Sequence, residues 1–428
     1  MSPVWRNWPG EQVCAPSTIA RPTSEAELAE VVARSAKRGE RVRAVGSGHS
    51  FTDCACTDGV MIDMTGLQRI IDADPASGLA TVEGGAKLHT LFAQLAERGL
   101  ALENQGDIDR QSITGATATA THGTGARFTN VSAQIVSLRL ITAGGDILSL
   151  SEGDDYLAAR VSIGALGVIS QVTLRVVPLF TLHRKDERRP LAETLERLDE
   201  HVDGNDHFEF FVFPYGDTAL TRSTRRSDEE PQPRPAWKRR INENFENAGL
   251  SMICRAGRQF PGTAPRLNRL MTSLMSEAAV QDRGWKVYAS ARNVKFTEME
   301  YAIPREHARE ATQRVIDLVR RRGLPIMFPL EVRFGAPDDA FLSTAHGRDT
   351  CYIAVHQYVG MEFETYFRAV EEIMDDYAGR PHWGKRHYQT AATLRERYPQ
   401  WDRFAAVRDR LDPDRVFLND YTRRVLGK

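Results

Sequence analysis

The sequence predicts an α+β protein of at least two domains, and three observations support this prediction. The first 178 residues contain short strand candidates with only occasional helices, without the regular strand–helix alternation of a doubly wound sheet. After Pro178, longer strand candidates are separated by two amphipathic helical patterns, which indicates an antiparallel sheet with helices on one face. Two segments of small residues in the N-terminal part would let a ligand approach the backbone closely.

The composition is typical of a globular protein. The 428 residues are 41% hydrophobic and 26% charged, and a net charge of −1 gives no electrostatic argument for nucleic-acid binding. We see no apolar stretch that could span a bilayer and no signal peptide in residues 1–20. The cysteines are sparse, and the pair Cys54 and Cys56 lacks a second ligand pair. We therefore expect free thiols, no metal site and a cytoplasmic location, with peripheral membrane attachment left open.

Two helices and several short strands are predicted in the N-terminal part. The helices cover residues 20–38 and 87–98, because the first begins with a capping pattern from Ser24 to Glu27 and the second is followed by Gly99. The strand candidates are residues 41–45, 60–63, 79–83, 135–141 and 168–176.

The first small-residue segment follows directly on a short buried strand. It consists of Gly46, Ser47, Gly48, His49 and Ser50. Consecutive backbone N–H groups in such a loop can face one concavity and bind a diphosphate. Phe51 is incompatible with a G-x-G-x-x-G dinucleotide fingerprint, and Thr52 is incompatible with a G-x-S-x-G nucleophile loop. A plain tight turn is the alternative.

The second small-residue segment, residues 112–125, reads SITGATATATHGTG. A flexible linker would explain Gly and Ser but not the alternating Ala-Thr run that ends in His-Gly-Thr-Gly. Such small side chains would let a flat aromatic group or a diphosphate lie against the backbone. A tightly packed helix or strand of small residues is the alternative.

The region after Pro178 is predicted to be one sheet with covering helices. Helical spacing of apolar residues appears at 305–322 and 362–377, and residues 222–240 predict an exposed, charged loop. The strand candidates are residues 207–213, 285–293, 298–303, 325–334 and 350–359. The tail, residues 380–428, is rich in polar and aromatic residues, and we expect it to pack back over the rest of the protein.

Several of these segments resemble one superfamily of flavoproteins. The motifs GSGHS (46–50), HGTG (122–125), GALGVIS (164–170), E-V-R (331–333) and HWGK (382–385) are similar to those of the vanillyl-alcohol-oxidase superfamily, within its sugar-1,4-lactone and alditol oxidoreductases. The similarity extends from Pro22 to Gly427 and is most specific toward the actinobacterial L-gulono-1,4-lactone dehydrogenases. It implies a PCMH-type FAD-binding domain (residues 1–178), a substrate or cap domain (179–380) and a C-terminal segment (381–428) that returns to the FAD site.

The resemblance also implies which residues hold FAD. The 46–50 loop would bind the diphosphate, and a ring nitrogen of His49 would be bonded to the flavin 8α-methyl group. A histidine that only donates a hydrogen bond to the cofactor is the alternative. The other residues implied to line FAD are Thr114, Gly115, Ala118, Thr121, His122, Gly123, Ile169 and His382.

The substrate residues of such relatives match Glu331, Arg333 and Lys385. Glu331 and Arg333 are two positions apart in a predicted strand, so both side chains point to the same face. A carboxylate and a guanidinium on one face can bind neighbouring hydroxyl groups. A surface ion pair is the alternative reading. His356, in the strand candidate 350–359, is expected to reach the same pocket.

The reaction implied is oxidation of an aldono-1,4-lactone at C2, with hydride transfer to flavin N5. Lys385 and Arg333 would stabilise negative charge, and Glu331 would orient the hydroxyl groups and accept a proton. The electrons would pass to a cytochrome or a quinone-like carrier. Two alternatives stay open: an alditol (polyol) or aldonolactone oxidase that uses oxygen, and a flavin-binding protein without catalysis.

Overall fold

The computed structural model describes residues 3–233, 236–289 and 294–428. Within them, the N-terminal helices are α1 (Glu25–Lys37), α2 (Leu88–Glu97), α3 (Ile113–Ala118) and α4 (Gly153–Arg160). The N-terminal strands are β1 (Trp5–Arg6), β2 (Val13–Cys14), β3 (Thr18–Ala20), β4 (Val42–Val45), β5 (Val60–Asp63), β6 (Ile70–Asp74), β7 (Leu79–Glu83), β8 (Leu100–Ala101), β9 (Ile135–Ile141), β10 (Ile147–Leu150), β11 (Val168–Arg175) and β12 (Val177–Pro178).

Strands predominate in the central part. They are β13 (Thr181–Pro190), β14 (His207–Val212), β15 (Thr218–Ser227), β16 (Ala278–Arg283), β17 (Phe296–Pro304), β18 (Leu330–Gly335), β19 (Thr350–Tyr358) and β20 (Arg380–Pro381). The remaining helices are α5 (Leu191–Glu196), α6 (Leu198–Asp203), α7 (Ala236–Gln259), α8 (Ala264–Leu274), α9 (Gly284–Tyr288), α10 (Ala308–Arg322), α11 (Glu364–Asp375), α12 (Ala391–Arg395), α13 (Trp401–Leu411) and α14 (Asp420–Leu426).

The N-terminal part contains two principal sheets. One is a parallel sheet in the order β3-β5-β4, and the other is antiparallel in the order β10-β9-β11-β7-β6. Helix α1 begins as predicted, since the Ser24 side chain accepts a hydrogen bond from the Glu27 backbone N–H. Gly99 follows α2 with φ +72°, a left-handed conformation that glycine adopts readily. The prediction of an α+β protein is confirmed.

The central part is an eight-stranded antiparallel sheet in the order β16-β13-β15-β14-β18-β19-β17-β20. Alternate residues of its middle strands face α5, α6, α10 and α11 and form an apolar core with members such as Phe210, Val332 and Ile353. The intervening residues, such as Glu209, Arg333 and Tyr352, are polar or aromatic and are also buried. The sheet is therefore covered on both faces, and its polar face supplies side chains for the cavity described below.

The C-terminal segment returns to the N-terminal part. Trp383, Tyr398, Phe404 and Tyr421 belong to the same apolar cluster as α2 and the antiparallel N-terminal sheet. The backbone N–H of Val42 donates a 2.9 Å hydrogen bond to a carbonyl in this segment. The expectation that the tail packs back over the rest of the protein is met.

Two local predictions were wrong. Residues 284–288 form helix α9 instead of a strand, and residues 290–293 of that prediction lie outside the described residues. The charged segment 222–240 is not a loop throughout: its start extends β15, and its end lies in α7. Charge did not prevent strand formation, because the Arg222 side chain lies between Asp186 and Glu209 of the neighbouring strands. No helix in the described part of the chain is both long and apolar enough to cross a bilayer.

Candidate functional site

Two connected cavities lie between the N-terminal part and the polar face of the eight-stranded sheet. The first, of about 120 Å³, is lined by the 46–50 loop, by α3 and by residues 162–169. The second, of about 540 Å³, is lined mainly by β17, β18 and β19 and by residues 106–111. His49, Ser50, Gln111 and Thr119 line both cavities. A long ligand can therefore lie in the first cavity and present one end in the second.

The first cavity needs glycine where its loop approaches the side chains of Ser112 and Trp5. A Cβ atom on Gly46 would lie 1.9 Å from Ser112 Oγ, and one on Gly48 would lie 2.9 Å from the Trp5 ring. Gly48 also has φ +67°, which disfavours other residues. The plain tight turn is not sufficient to explain this loop, because its backbone forms the wall of a cavity.

The polar groups of the first cavity suit an anionic ligand. Buried hydroxyls of Ser47, Thr52 and Ser162 have no hydrogen-bond partner among the described residues. No Asp or Glu side chain of the described residues lines this cavity. Unpartnered buried hydroxyls are costly, so a ligand with hydrogen-bonding oxygens stabilises the site. A diphosphate-containing cofactor fits these residues.

Arg43 holds the floor of the first cavity in place. Its buried guanidinium donates hydrogen bonds to the backbone carbonyls of Cys54, Ile163, Gly164 and Phe417, at 2.5–3.0 Å. One side chain thus joins three segments that are distant in the sequence. The sequence analysis did not single out Arg43, because a charged residue in a short strand normally indicates a solvent-exposed face.

His49 lies where the two cavities meet, and its ring stacks on Trp8 with centroids 5.5 Å apart. Partial burial, with the positive charges of Arg110 and Lys87 nearby, lowers the pKa of His49 to about 4. The imidazole is therefore neutral at physiological pH and has a nitrogen lone pair available. A neutral imidazole can act as a nucleophile, which a protonated one cannot.

Glu331 and Arg333 form one buried cluster in the second cavity. They are in direct contact on β18, and Arg333 Nε lies 2.8 Å from Glu209 Oε2 on β14. Arg333 Nη2 also lies 3.3 Å from Asp107 Oδ2. Burial alone would lower the pKa of Arg333, but the carboxylates of Asp107, Glu331 and Glu209 raise it well above its ordinary value. Arg333 is a fixed cation held in position from three sides.

Lys385 lies between two carboxylates of β17. Its Nζ is 2.6 Å from Glu298 Oε1 and 2.8 Å from Glu300 Oε2. Burial opposes the charge of Lys385, but the two carboxylates outweigh it and raise its pKa. Burial would raise the pKa of Glu298, yet Lys385 and His356 lower it to about 2. This group therefore keeps both signs of charge at neutral pH.

Two histidines extend the Lys385 group along the sheet. His356 Nε2 lies 3.3 Å from Glu298 Oε1 and 4.0 Å from Glu331 Oε2. His122 Nε2 lies 2.7 Å from Glu300 Oε1, while its Nδ1 lies 2.8 Å from the Gly123 carbonyl. Both ring nitrogens of His122 therefore lie within hydrogen-bond distance of oxygen atoms.

The aromatic surroundings of the second cavity are also ordered. The His122 ring stacks on Tyr352 with centroids 3.5 Å apart and planes at 10°. His382 is buried 5.9 Å from His122, and its Nδ1 accepts a hydrogen bond from the Gly384 N–H at 3.1 Å. Burial, together with Lys385, lowers the pKa of His382 to about 3. His382 is therefore a neutral acceptor beside charged neighbours.

The predicted site residues fall into two groups that meet at His49. The first cavity is lined by Gly46, Ser47, Gly48, His49, Ser50, Thr114, Gly115, Ala118 and Ile169. The second is lined by His49, Ser50, Thr121, His122, Glu331, Arg333, His356, His382 and Lys385.

Gly123 is the exception, since it lines neither of these cavities. It borders a small separate space behind Arg333, where a Cβ atom would lie 2.3 Å from the Gln105 carbonyl oxygen. Its carbonyl oxygen contacts His122. The structure therefore places Gly123 beside the site, in contact with a residue that lines it.

Several residues that line the cavities or contact their lining residues were missed by the sequence analysis. Glu298 and Glu300 alternate in a strand candidate in the same way as Glu331 and Arg333, and this alternation was a usable signal. Glu209 lies in a similar pattern on β14. Trp8 and Asp107 lie in segments without periodicity, so only the structure identifies them.

A two-chamber site of this kind, with a glycine-walled anion cavity beside a cavity of fixed charges, is that of an FAD-dependent oxidoreductase. A sequence profile described as "FAD binding domain" matches residues 16–151. A solved structure of cholesterol oxidase from Brevibacterium sterolicum has a TM-score of 0.85 at 16% identity, covering 100% of this chain and 97% of that chain. A solvent-stable cholesterol oxidase also has a TM-score of 0.85, at 17% identity, covering 100% and 98%. The fold is the two-domain PCMH-type FAD-binding fold, as predicted.

The chain belongs to the D-arabinono-1,4-lactone oxidase family, whose profile matches residues 172–425. It is 81% identical to an L-gulono-1,4-lactone dehydrogenase of Mycobacterium tuberculosis over 427 residues, which cover 100% of both chains. It is 34% identical to an L-gulonolactone oxidase of Bos taurus (98% of both chains) and 31% identical to an alditol oxidase of Streptomyces sp. (100% of both chains). The predictions of the family, of FAD and of an oxidoreductase are confirmed.

Proposed function

We propose that the protein oxidises L-gulono-1,4-lactone at C2 and passes the electrons to an acceptor other than oxygen. The resulting 2-keto lactone tautomerises to an enediol, which is L-ascorbate. The observation that supports this proposal is the cluster of Glu331, Arg333 and Lys385 in one buried cavity that meets the cofactor cavity at His49. The 81% identity with an L-gulono-1,4-lactone dehydrogenase supports the choice of lactone.

The chain's own groups would divide between holding the cofactor and handling the substrate. The 46–50 loop and α3 would hold the FAD diphosphate, and the neutral His49 would be the residue bonded to the flavin 8α-methyl group, which would lose a proton and leave two electrons on the flavin for the electron acceptor to remove. Bound FAD supplies the acceptor for the substrate hydride. Thr121, His122 and His382 line the second cavity and would face the flavin end of the cofactor.

The substrate would be held by opposite charges that already neutralise one another. Arg333 donates hydrogen bonds to lactone oxygens, and Glu331 accepts hydrogen bonds from its hydroxyl groups. Glu331 also accepts the C2 hydroxyl proton, and His356 lies 4.0 Å away as a neighbouring base. Lys385 and Arg333 stabilise the negative charge that develops on the substrate oxygen.

We further propose that the three-part division of the chain at residues 178 and 380 separates FAD binding, substrate binding and a returning tail. One apolar cluster joins residues from the first and last parts, which supports their assignment to one unit. The acceptor is a cytochrome or a quinone-like carrier, and the protein works in the cytoplasm or at the membrane surface.

The direct test is anaerobic addition of L-gulono-1,4-lactone to the purified holoenzyme while the flavin absorbance is followed. Bleaching that persists in air but reverses with an artificial electron acceptor is the expected result. Rapid reoxidation by air would show an oxidase. Bleaching by polyols and not by the lactone would show an alditol oxidase, and no bleaching by either would contradict an enzymatic role. Arg333→Ala, loaded with FAD, serves as the inactive control.

A further inference from the structure

Helices α7 and α8 carry exposed apolar side chains that the proposed reaction does not use. Met252 is 66% exposed, Phe260 in the turn between the helices is 64% exposed, and Leu270 and Leu274 on α8 are 46% and 62% exposed. These four are half of the large hydrophobic side chains that are exposed in the described part of the chain. Scattered exposed side chains are normal, but a concentration on one helix pair indicates a contact surface.

The same helix pair carries an excess of basic residues, since α7 and α8 contain one lysine and six arginines against Glu243 and Glu246. Residues 248–276 contain four arginines and no Asp or Glu, although the whole chain has a net charge of −1. All four arginines are exposed, and none has a carboxylate of the described residues within 4.0 Å. They are Arg255, Arg258, Arg266 and Arg269. The basic charge is thus available to a partner.

The apolar and basic residues share one side of the helix pair. On α8, Arg266, Leu270 and Leu274 follow at intervals of four residues and therefore lie along one stripe. The opposite side of α8, with Ala264 and Met271, packs into a buried cluster together with Cys254 of α7. Since the inner sides of residues 250–254 of α7 and of α8 pack in one cluster, the exposed side chains of residues 248–260 and of α8 form a common surface. We call this surface the α7–α8 face, and it consists of Met252, Arg255, Arg258, Phe260, Arg266, Arg269, Leu270 and Leu274.

The α7–α8 face also adjoins the substrate cavity. Its supporting cluster contains Phe51 and Phe296, and Trp8 packs against it. All three of these aromatic residues line the second cavity. The helix pair therefore lies over a wall of the second cavity, and a surface bound to it would lie on the Trp8, Phe51 and Phe296 side of that cavity.

We propose that the α7–α8 face docks the protein on the surface of an anionic phospholipid membrane. Helices that lie in a membrane interface combine apolar side chains with arginine or lysine, and anionic headgroups attract the basic residues. Transfer of the exposed leucine, methionine and phenylalanine side chains from water into the acyl boundary lowers the free energy of the system. An acidic protein with an apolar patch is the other possible occupant, and in that case the protein would not bind the anionic vesicles of the test below. This docking rests on the proposed function and extends its proposal of a non-oxygen electron acceptor, because quinone-like carriers that are soluble in lipid reside in the membrane.

The test measures binding of the FAD-loaded protein to sedimented vesicles of phosphatidylcholine, with and without phosphatidylglycerol. We expect binding only to the anionic vesicles, weakened by salt because exposed charges are screened. Retention on a heparin resin without vesicle binding would overturn the proposal, since it would show attraction of charge alone. Absence of binding to anionic vesicles at low salt would overturn it as well.

Paired variants separate the two contributions. Arg266→Gln with Arg269→Gln should lower the vesicle partition coefficient roughly 30-fold, from about a fivefold effect per charge near an anionic surface. Leu270→Ser with Leu274→Ser should lower it roughly tenfold or more. The matched control is Ile71→Ser with Ile147→Ser, two exposed apolar residues of the N-terminal part, which should bind like the parent. Unchanged binding of both test variants would overturn the proposal.

Lactone oxidation with a soluble dye separates this proposal from the proposed function. The α7–α8 variants should keep the parent's turnover, because none of the substituted residues lines the cavities. Failure of the parent itself to oxidise the lactone would contradict the proposed function and leave the vesicle result intact.

Discussion

Single side chains in this protein owe their chemistry to what surrounds them. His49 and His122 are both cavity histidines, yet His49 stacks on Trp8 with cations nearby, whereas His122 faces a carboxylate and a carbonyl oxygen. The first is held neutral, and both ring nitrogens of the second lie within hydrogen-bond distance of oxygen atoms. The same residue type is therefore suited to act as a nucleophile in one place and to bridge two oxygen atoms a short distance away.

We predict that His49→Ala releases FAD on acid precipitation, whereas the parent keeps yellow flavin in the protein pellet. The physical reason is that the neutral imidazole at position 49 would provide the nitrogen of the proposed bond to the flavin. Flavin absorbance in pellet and supernatant measures the result. His382→Ala is the matched control, because His382 is another neutral histidine of the same cavity and its loss should leave flavin in the pellet.

Glu209 positions Arg333, and its loss should reduce catalysis without loss of FAD. Its Oε2 accepts a 2.8 Å hydrogen bond from Arg333 Nε. Hydrogen bonds to charged groups contribute about 1.5–3 kcal/mol, so Glu209→Gln should lower kcat/KM roughly tenfold to hundredfold. Glu187→Gln, on the same sheet but outside the cavities, should leave kcat/KM unchanged. A parallel fall in FAD content would contradict the assignment of Glu209 as a positioning residue.

At the scale of elements, the 46–50 loop is shaped by one close approach. Gly46→Ala should prevent FAD loading, because its Cβ would lie 1.9 Å from Ser112 Oγ and 2.8 Å from Ser112 Cβ. Ser112→Gly removes both atoms and leaves the Cα at 3.9 Å, so the double variant should regain FAD. Flavin content per protein chain measures both results. A double variant that remains empty would show that the Ser112 contact is not the cause.

Periodicity determined which elements the sequence could reveal. Strands β18 and β19 were predictable because apolar and polar residues alternate along them, and α1 because its cap and apolar face coincide. Helix α9 was not predictable, since it has only 5 residues and makes little more than one turn. The contact of Arg333 with Glu331 was predictable, because Glu331 is two residues away in the same strand. Its contact with Glu209 was not, because Glu209 is 124 residues away and is brought close only by the pairing of β14 with β18.

The whole molecule should lose stability in two stages as the pH falls. Burial lowers the pKa of His207 and of His382 to about 4 and about 3, below their ordinary 6.5. At a pH between the lowered pKa of each histidine and 6.5, the unfolded chain binds more protons than the folded one. The free energy of unfolding therefore decreases as the pH drops below about 6.5. The pKa of Glu298 is lowered to about 2, so the unfolded chain takes up a proton at this residue at a higher pH than the folded one. The free energy of unfolding therefore decreases further as the pH falls below about 4.5.

Melting temperatures measured over this pH range check the prediction. His207→Gln should flatten the first stage, because glutamine can replace both hydrogen bonds of His207, to the Thr124 carbonyl and to Tyr288 Oη, without gaining a charge in acid. The second stage should be unchanged in this variant. A melting temperature that is constant between about pH 7 and pH 5 would contradict the prediction.

The two buried faces of the eight-stranded sheet have a consequence for protein engineering. Along β18 and β19, the residues that form the apolar core and the residues that line the second cavity occupy alternate positions. A combinatorial library at positions 298 and 356, whose side chains line the second cavity, would therefore vary its wall while the apolar contacts beneath the sheet are retained. This strand pattern makes the protein a scaffold on which new substrate preferences can be selected without first redesigning its core.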